Sequence, residues 1–129
     1  AEDDRVNQIL IRKLLRKRGL SVTIVGDGRQ AVQAFRASSH DVIFLDMEMP
    51  VMNGLEAAQA IRRIEARTGR QTPIIALTAA SSEEDRQRCL QAGMDDILCK
   101  PIQVTELFRQ IDRALGFAVE AHSTQPQTE

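Results

Sequence analysis

The sequence predicts an α/β fold in which helices cover both faces of a doubly wound parallel sheet. Helical and strand-like patterns alternate along the 129 residues, and right-handed crossovers between parallel strands produce this order. Residues 42–45 are apolar at every position, as expected for a strand that is buried on both faces. Polar residues follow several of the strand-like segments, so a binding site is expected at the carboxyl edge of the sheet.

Composition indicates one globular domain without a nucleic-acid or membrane surface. The chain is 43% hydrophobic and 27% charged, and its net charge is -1, so it lacks the basic excess that would favour anionic partners. No apolar run approaches the roughly 20 residues of a membrane helix. Cys89 and Cys99 are expected to be reduced thiols of a cytoplasmic protein, since neither histidine clusters with them.

Each element has a local signal in the sequence. The first helix carries Val6, Leu10 and Leu14 on one face, which predicts its core side, and it ends at Gly19. Later helices are predicted near 31–38, 55–68, 82–92 and 104–115, with Ser81 or Ser82 capping the fourth. Strands are predicted at 21–25, 42–45, 73–77 and 97–99. The domain therefore spans 1–116, and the polar residues 117–129 are expected to form a mobile tail.

Four segments send polar groups to one edge of the predicted sheet. Asp46, Thr78 and Lys100 each lie at or just beyond the end of a strand, and acidic residues precede the first helix. Clustered carboxylates either raise a pKa or bind a cation, and oxygen ligands that leave room for water suit Mg²⁺. A carboxylate, a hard cation, a lysine and a hydroxyl are the parts needed to transfer a phosphoryl group onto an aspartate.

Four short motifs follow one another along the chain: AEDDRVNQ at the start, FLDMEMPVMNGLEA in the middle, ALTA ending at Ala79, and CKPI around Lys100. With these motifs the sequence resembles the receiver domains of two-component response regulators. Their order and spacing extend over nearly the whole chain up to Leu115. The resemblance implies a flavodoxin-like sheet of five parallel strands in the order 2-1-3-4-5.

The resemblance also implies a role for each acid. Asp46 is expected to be the phosphoacceptor, which takes a phosphoryl group from a phosphohistidine on a histidine kinase or a histidine phosphotransfer domain. Asp3 and Asp46 are expected to bind Mg²⁺, for which Mn²⁺ can substitute, and Glu2 acts indirectly. The backbone carbonyl of Glu48 is expected to be the third protein ligand.

Four further residues complete the implied site. Lys100 is expected to pair with Asp46 and then with the phosphoryl group. Thr78 is expected to bind a phosphoryl oxygen after transfer, with help from the N–H of Ala79. The Lys100-Pro101 bond is expected to be cis, an isomer that X-Pro bonds adopt at small cost.

The motif variants are most similar to receivers of hybrid sensor histidine kinases, whose chain can be membrane-anchored. A stand-alone single-domain regulator is the alternative. By itself the domain would be a phosphoryl acceptor with self-catalysed transfer and slow self-dephosphorylation. Whether phosphorylation drives dimerisation stays open at this point.

Two other classes also remain open. An Mg²⁺-dependent phosphohydrolase also uses a strand-end aspartate nucleophile, but it usually has Asp-x-Asp, and here Glu48 takes the second position. A degenerate receiver that acts only as a binding module is the third class.

The chain departs from the family pattern in two places. The family has a strand directly before the acidic pair, so the first strand is expected upstream of Ala1 or from another segment or molecule. Ile97 stands where many receivers have Tyr or Phe, which puts coupling through an aromatic ring in doubt.

The first helix has more apolar residues than one core face requires. Ile9, Ile11 and Leu15 lie outside the face marked by Val6 and Leu10. One interpretation is a flank half covered by loops. The functional interpretation is a docking patch at Ile11 and Leu15 for a phosphotransfer helix.

Overall fold

A computed structural model describes residues 1–79 and 82–116. Its eight elements, in chain order, are the following helices and strands: α1 (Arg5–Lys17), α2 (Gly28–Ala37), β1 (Ile43–Asp46), α3 (Gly54–Glu65), β2 (Ile74–Thr78), α4 (Glu83–Gln91), β3 (Asp96–Cys99) and α5 (Val104–Leu115). The α/β class and all five predicted helices are confirmed. The tail predicted for 117–129 lies outside the described residues.

The sheet has three parallel strands in the order β1-β2-β3 among the described residues. Its register pairs Leu45 with Ala76 and Ala76 with Ile97. These are the third, fourth and fifth strands of the expected order. The prediction of a strand at 21–25 is wrong for the described chain. A strand forms only when its backbone is hydrogen-bonded to a neighbouring strand. A groove separates residues 21–25 from β1, so the two segments do not pair.

Two hydrophobic cores lie on opposite faces of the sheet. Alternate residues of β2 supply both, because successive side chains of a strand point to opposite faces. Ile74 and Ala76 pack in the core covered by α2, α3 and α4, whereas Ile75 and Leu77 pack in the core covered by α1 and α5. The helices therefore cover both faces, as the sequence predicts.

The side of α1 that faces the core differs in part from the prediction, since only Leu14 of the three predicted core residues packs against the core. Ile11 and Leu15 are buried, each with 8% of its surface exposed, and they pack against β2 and α5. Val6 is 73% exposed and Leu10 is 40% exposed. Both sets of residues recur at helical spacing, so periodicity defines the faces but not which of them meets the sheet. Ile11 and Leu15 therefore cannot form an exposed docking patch.

Side-chain caps begin the helices that flank the carboxyl edge of the sheet. Asp4 accepts hydrogen bonds from the N–H groups of Val6 and Asn7 at the start of α1. Asn53 and Glu56 form a reciprocal capping box at the start of α3. Of the two serines predicted to cap α4, Ser82 is the N-cap and accepts from the N–H of Asp85. Each cap fixes where the chain turns from the sheet edge into a helix.

No helix in the described ranges is both long and apolar enough to cross a lipid bilayer.

Candidate functional site

The carboxyl ends of the strands bring Asp46, Thr78 and Lys100 to one edge of the sheet. Asp46 is the last residue of β1 and Thr78 the last of β2, and both are buried. Lys100 follows β3, and its N–H donates to the carbonyl of Thr78 at 2.7 Å. Nζ of Lys100 lies 2.8 Å from Oδ2 of Asp46. The lysine and the aspartate thus form a direct ion pair at the strand ends.

A backbone clip holds the acidic segment against β1. The amino group of Ala1 donates to the carbonyl of Phe44 at 2.6 Å, and the N–H of Asp46 donates to the carbonyl of Ala1 at 3.0 Å. On the other side, the N–H of Glu2 donates to the carbonyl of Val25 at 3.0 Å. Two hydrogen bonds to β1 and one to Val25 therefore fix where the following carboxylates lie.

Three carboxylates meet beside Lys100. Glu2, Asp3 and Asp46 each offer an oxygen within 4.8 Å of the others. Glu2 and Asp46 are buried, whereas Asp3 is exposed. Oε1 of Glu2 is buried and has no hydrogen-bond partner within the described residues, although Nζ of Lys100 lies 3.1 Å away as an ion-pair contact. Carboxylate oxygens of this kind fit a hard divalent cation.

The electrostatics of this cluster follow from burial and pairing. Burial raises the pKa of Glu2, while the hydrogen bond from the N–H of Asp4 and the neighbouring ammonium group of Lys100 oppose the increase. Burial would lower the pKa of Lys100, but its contacts with Asp46 and Glu2 outweigh burial and raise that pKa. Burial also lowers the pKa of the Ala1 amino group to about 6, against the attraction of Glu2 and Asp46. Lys100 is therefore a fixed positive charge near neutral pH.

The loop after β1 lies against Asp46. The N–H of Glu48 donates to Oδ1 of Asp46 at 3.0 Å, so one oxygen of Asp46 faces the loop and the other faces Lys100. A Cβ at Gly54 would lie 2.3 Å from the carbonyl oxygen of Asp46. Only glycine therefore lets α3 begin this close to the strand end.

The remaining predicted positions lie around the same edge. Glu48 is exposed, and Ala79 is an exposed residue directly after Thr78. The Lys100-Pro101 bond is cis. Sequence reasoning did not find that Glu2 is the buried acid of the pair, because composition and spacing carry no signal for which of two adjacent acids points inward. It also missed that Lys100 contacts Glu2 as well as Asp46.

Comparison with known proteins identifies the family. The family model for the response regulator receiver domain matches residues 1–112. Hybrid signal transduction histidine kinase I of Dictyostelium discoideum is 44% identical over 125 residues, which are 93% of this chain and 7% of that protein. Sensor protein GacS of Pseudomonas syringae pv. syringae is 35% identical over 129 residues, 99% of this chain and 14% of that protein. The chain thus spans a small part of these relatives.

Solved structures agree in fold. The receiver domain of a sensor histidine kinase from Pseudomonas aeruginosa PAO1, with a magnesium ion coordinated in its active site cleft, has a TM-score of 0.80 and 44% identity, covering 90% of this chain and 93% of that one. The receiver domain of Saccharomyces cerevisiae Ssk1, crystallised with the histidine phosphotransfer protein Ypd1, has a TM-score of 0.83 and 33% identity, covering 86% and 82%. On these matches, the chain belongs to the family of response regulator receiver domains.

Proposed function

We propose that this receiver domain accepts a phosphoryl group on Asp46 within a phosphorelay. The observation that carries the proposal is that Asp46 lies 2.8 Å from Nζ of Lys100 and offers an oxygen within 4.8 Å of the carboxylates of Glu2 and Asp3. A buried carboxylate beside a fixed lysine and an acidic pair that can hold a cation is suited to nucleophilic attack on phosphorus.

The transfer is an in-line displacement at phosphorus. A carboxylate oxygen of Asp46 forms the new P–O bond while the P–N bond of a phosphohistidine breaks, and the donor imidazole leaves with the bonding electron pair. The ammonium group of Lys100 offsets charge on the phosphoryl oxygens. The hydroxyl of Thr78 and the N–H of Ala79 are proposed to bind a phosphoryl oxygen after the transfer.

Mg²⁺ is the proposed cofactor, and Mn²⁺ is expected to substitute for it. The buried, incompletely bonded Oε1 of Glu2 and the carboxylates of Asp3 and Asp46 fit such an ion. When bound, the cation would offset the charge of the acidic cluster and of the incoming phosphoryl group. Asp3 and Asp46 are the proposed direct ligands together with the carbonyl of Glu48, and Glu2 would contribute indirectly.

The phosphodonor is proposed to be a histidine phosphotransfer domain or histidine kinase that docks beside Asp46. The exposed apolar residues Val6 and Ile9 occupy the first two turns of α1, directly after Asp3 and Asp4. They replace Ile11 and Leu15 as the docking residues of this proposal. The complex of a related receiver with the phosphotransfer protein Ypd1 supports a partner of this class.

The proposed context is the receiver of a hybrid sensor histidine kinase in the cytoplasm, in line with the kinases that this chain resembles. A stand-alone regulator remains the alternative, and a phosphorylation-dependent dimer is a further possibility to test. An aspartate-nucleophile phosphohydrolase is disfavoured, since the second acid of such a site is replaced by Glu48, which is exposed.

Incubation with acetyl phosphate and Mg²⁺, followed by intact-mass analysis, tests the proposal. A single phosphoryl adduct is expected, and it should be lost in Asp46→Asn. The matched control is Asp41→Asn, because Asp41 is exposed just before the opposite end of β1. Rapid turnover of phosphomonoesters would support the phosphohydrolase instead, and absence of any adduct would support a binding module.

A further inference from the structure

A cleft lies between the loop that follows β1 and helix α4, beside the acidic cluster. It is a cavity of about 510 Å³, and most of its wall comes from this loop and from the start of α3. Three charged residues also line it, namely Asp3, Glu48 and Arg88, and all three are exposed. Asp3 belongs to the cluster of carboxylates that includes Asp46. The cleft is therefore open to solvent and borders the carboxylates at the edge of the sheet.

A buried contact between two sulfur atoms holds α4 against the loop. Sγ of Cys89 lies 3.4 Å from Sδ of Met47, the residue that follows Asp46, and both sulfur side chains are buried. Arg88 precedes Cys89, so its side chain lies at the edge of the buried face of α4 and reaches the cleft. Arg86 lies two positions earlier, about 200° around the helix, and it is exposed. Of these two arginines, only Arg88 lines the cleft.

The guanidinium group of Arg88 is loosely held. Its side chain is 56% exposed, and Nη1 lies 3.5 Å from Oδ1 of Asp85. An exposed ion pair of this length contributes little to stability. Asp85 also accepts a hydrogen bond from the hydroxyl of Ser82 at 2.8 Å, so it keeps a donor when Arg88 turns away. Arg88 can therefore exchange Asp85 for an anion in the cleft.

Arg88 differs in sign from the other charged residues of the cleft wall. Asp3 and Glu48 repel an approaching anion, and Arg88 is the basic residue among the described residues that line the cleft. Small phosphodonors such as acetyl phosphate are anions at neutral pH, so they meet this repulsion. A positive charge on the wall raises their local concentration in the cleft, and the effect weakens as salt screens the charge.

We propose that Arg88 determines how fast the domain reacts with small anionic phosphodonors, and that the cleft is their route to Asp46. This inference rests on the proposed phosphoacceptor function. The guanidinium group attracts the donor and turns from Asp85 toward the phosphoryl oxygens. Arg88 is thus a specificity-determining residue that favours donors of higher negative charge.

The reaction with acetyl phosphate is again a displacement at phosphorus. A carboxylate oxygen of Asp46 forms the new P–O bond while the P–O bond to the acetyl group breaks, and acetate leaves with the bonding electron pair. No proton transfer is required, because the carboxylate attacks as an anion and acetate leaves as one. Arg88 therefore acts on the encounter with the donor, and its effect should scale with the charge of the donor.

The test measures, by intact mass, the rate constant for labelling of Asp46 at saturating Mg²⁺. Acetyl phosphate, a dianion at neutral pH, is compared with phosphoramidate, which has a single net negative charge. At an ionic strength of about 0.05 M, Arg88→Gln should react about 5-fold more slowly with acetyl phosphate and about 2-fold more slowly with phosphoramidate. At about 0.5 M the difference from wild type should fall below about 2-fold for both donors. Arg88→Lys keeps the charge and should restore the rates.

Arg86→Gln is the matched control, because it removes the same charge from the same helix but outside the cleft. It should leave both rate constants within about 1.5-fold of wild type, since salt screens a more distant exposed charge. Thermal unfolding should show that all three variants keep the fold, as expected for exposed arginines.

The outcomes separate this inference from the proposed function. Slowing that increases with donor charge and disappears with salt supports the role of Arg88. Slowing that is the same for both donors and both ionic strengths, or that Arg88→Lys does not restore, would indicate a structural role and overturn it. Equal labelling of wild type and Arg88→Gln at the lower ionic strength would overturn the role of Arg88 and leave the proposed function intact. Absence of labelling in wild type would overturn the proposed function, and this inference with it.

Discussion

Nζ of Lys100 lies 2.8 Å from Oδ2 of Asp46, although the two residues are 54 positions apart. The same ammonium group lies 3.1 Å from Glu2. A lysine between two carboxylates both lowers the repulsion between them and competes with a cation for their charge. Removal of Lys100 should therefore act in opposite directions on phosphoryl transfer and on metal binding.

The variant Lys100→Met should accept phosphoryl groups about 100-fold more slowly, as when one preorganised charge donor is removed from a reacting site. Mg²⁺ affinity should rise, because a competing positive charge has gone. Acetyl phosphate labelling by intact mass and Mg²⁺ titration check the two effects. Lys13→Met, on the exposed face of α1, should change neither. A decrease in both the labelling rate and the Mg²⁺ affinity would contradict the two opposite roles given to Lys100.

Docking on α1 should be separable from chemistry at Asp46. The double variant Val6→Asp with Ile9→Asp should slow transfer from a phosphorylated histidine phosphotransfer domain by roughly 30-fold, which corresponds to the loss of about 2 kcal/mol at an interface hot spot. Labelling by acetyl phosphate should be unchanged, since that donor needs no protein interface. Leu90→Asp, at an exposed apolar position on α4, is the control. Unchanged transfer in the double variant would eliminate this face as the docking site.

A buried carboxylate on α3 should control acid stability. Glu65 accepts from the N–H of Thr72 at 2.7 Å and from Arg62 at 2.6 Å. Burial would raise the pKa of Glu65, but these hydrogen bonds outweigh burial and lower it. A lowered carboxylate pKa stabilises the fold above the unfolded-state value of 4.5. That stabilisation is lost as the pH falls through the lower pKa of the folded state.

Glu65→Gln should lower the free energy of unfolding at pH 7 by about 1.5 kcal/mol, the value of a hydrogen bond to a charged group. Its stability should also depend less on pH below 4.5. Urea unfolding between pH 3 and 7 measures both effects. Glu84→Gln, an exposed position on α4, should change stability by less than about 0.5 kcal/mol. Parallel pH profiles for wild type and Glu65→Gln would contradict the role given to this carboxylate.

The loop beside Asp46 contains a strained residue. Val51 has φ of 67° and is exposed, and the left-handed region costs a residue with a Cβ about 1–2 kcal/mol. Relief of this strain in Val51→Gly should therefore stabilise the folded state by about 1 kcal/mol. The greater conformational entropy of glycine in the unfolded chain offsets part of that gain. Val51→Ala keeps the Cβ and should change stability little. Thermal unfolding of the two variants distinguishes relief of strain from loss of the branched side chain.

The close packing of α3 on the end of β1 should not tolerate one added carbon at Gly54. Gly54→Ala would place a Cβ 2.3 Å from the carbonyl oxygen of Asp46, so backbone must move. The expected loss is about 1–3 kcal/mol, with slower labelling of Asp46. At Gly26 a Cβ would meet nothing closer than 3.8 Å, so Gly26→Ala should keep the labelling rate. Urea unfolding and labelling rates measure the difference.

Local patterns were sufficient to predict the helices and the edge of the sheet that carries the site. Periodicity and caps locate an element because they depend only on residues that are close in sequence, as the caps Asp4 and Ser82 show. They do not say which face of a helix meets the sheet, so the sequence allows either a half-covered flank or an exposed docking patch at Ile11, which is in fact buried. That choice depends on contacts with β2 and α5, which are distant in sequence.

Local sequence patterns also do not predict which strands pair or which distant groups form hydrogen bonds. Residues 21–25 have strand-like composition, but a strand exists only through a neighbour's backbone. The hydrogen bonds of Glu65 to Thr72 and Arg62 went unpredicted because no motif marks a buried acid on a helix. The motifs nevertheless placed Asp46 and Lys100 at the correct edge, since strand ends converge in any parallel sheet.

The clip between Ala1 and Phe44 spans 43 positions, and the ion pair of Asp46 with Lys100 spans 54. Contacts of such long sequence separation close large loops and form slowly. The site around Asp46 consequently has no local precursor, and its groups meet only when both ends of the domain have reached the sheet. During refolding, the capacity to accept a phosphoryl group should appear with the native tertiary structure rather than with the helices. The time course of Asp46 phosphorylation during refolding would thus follow the completion of the native fold.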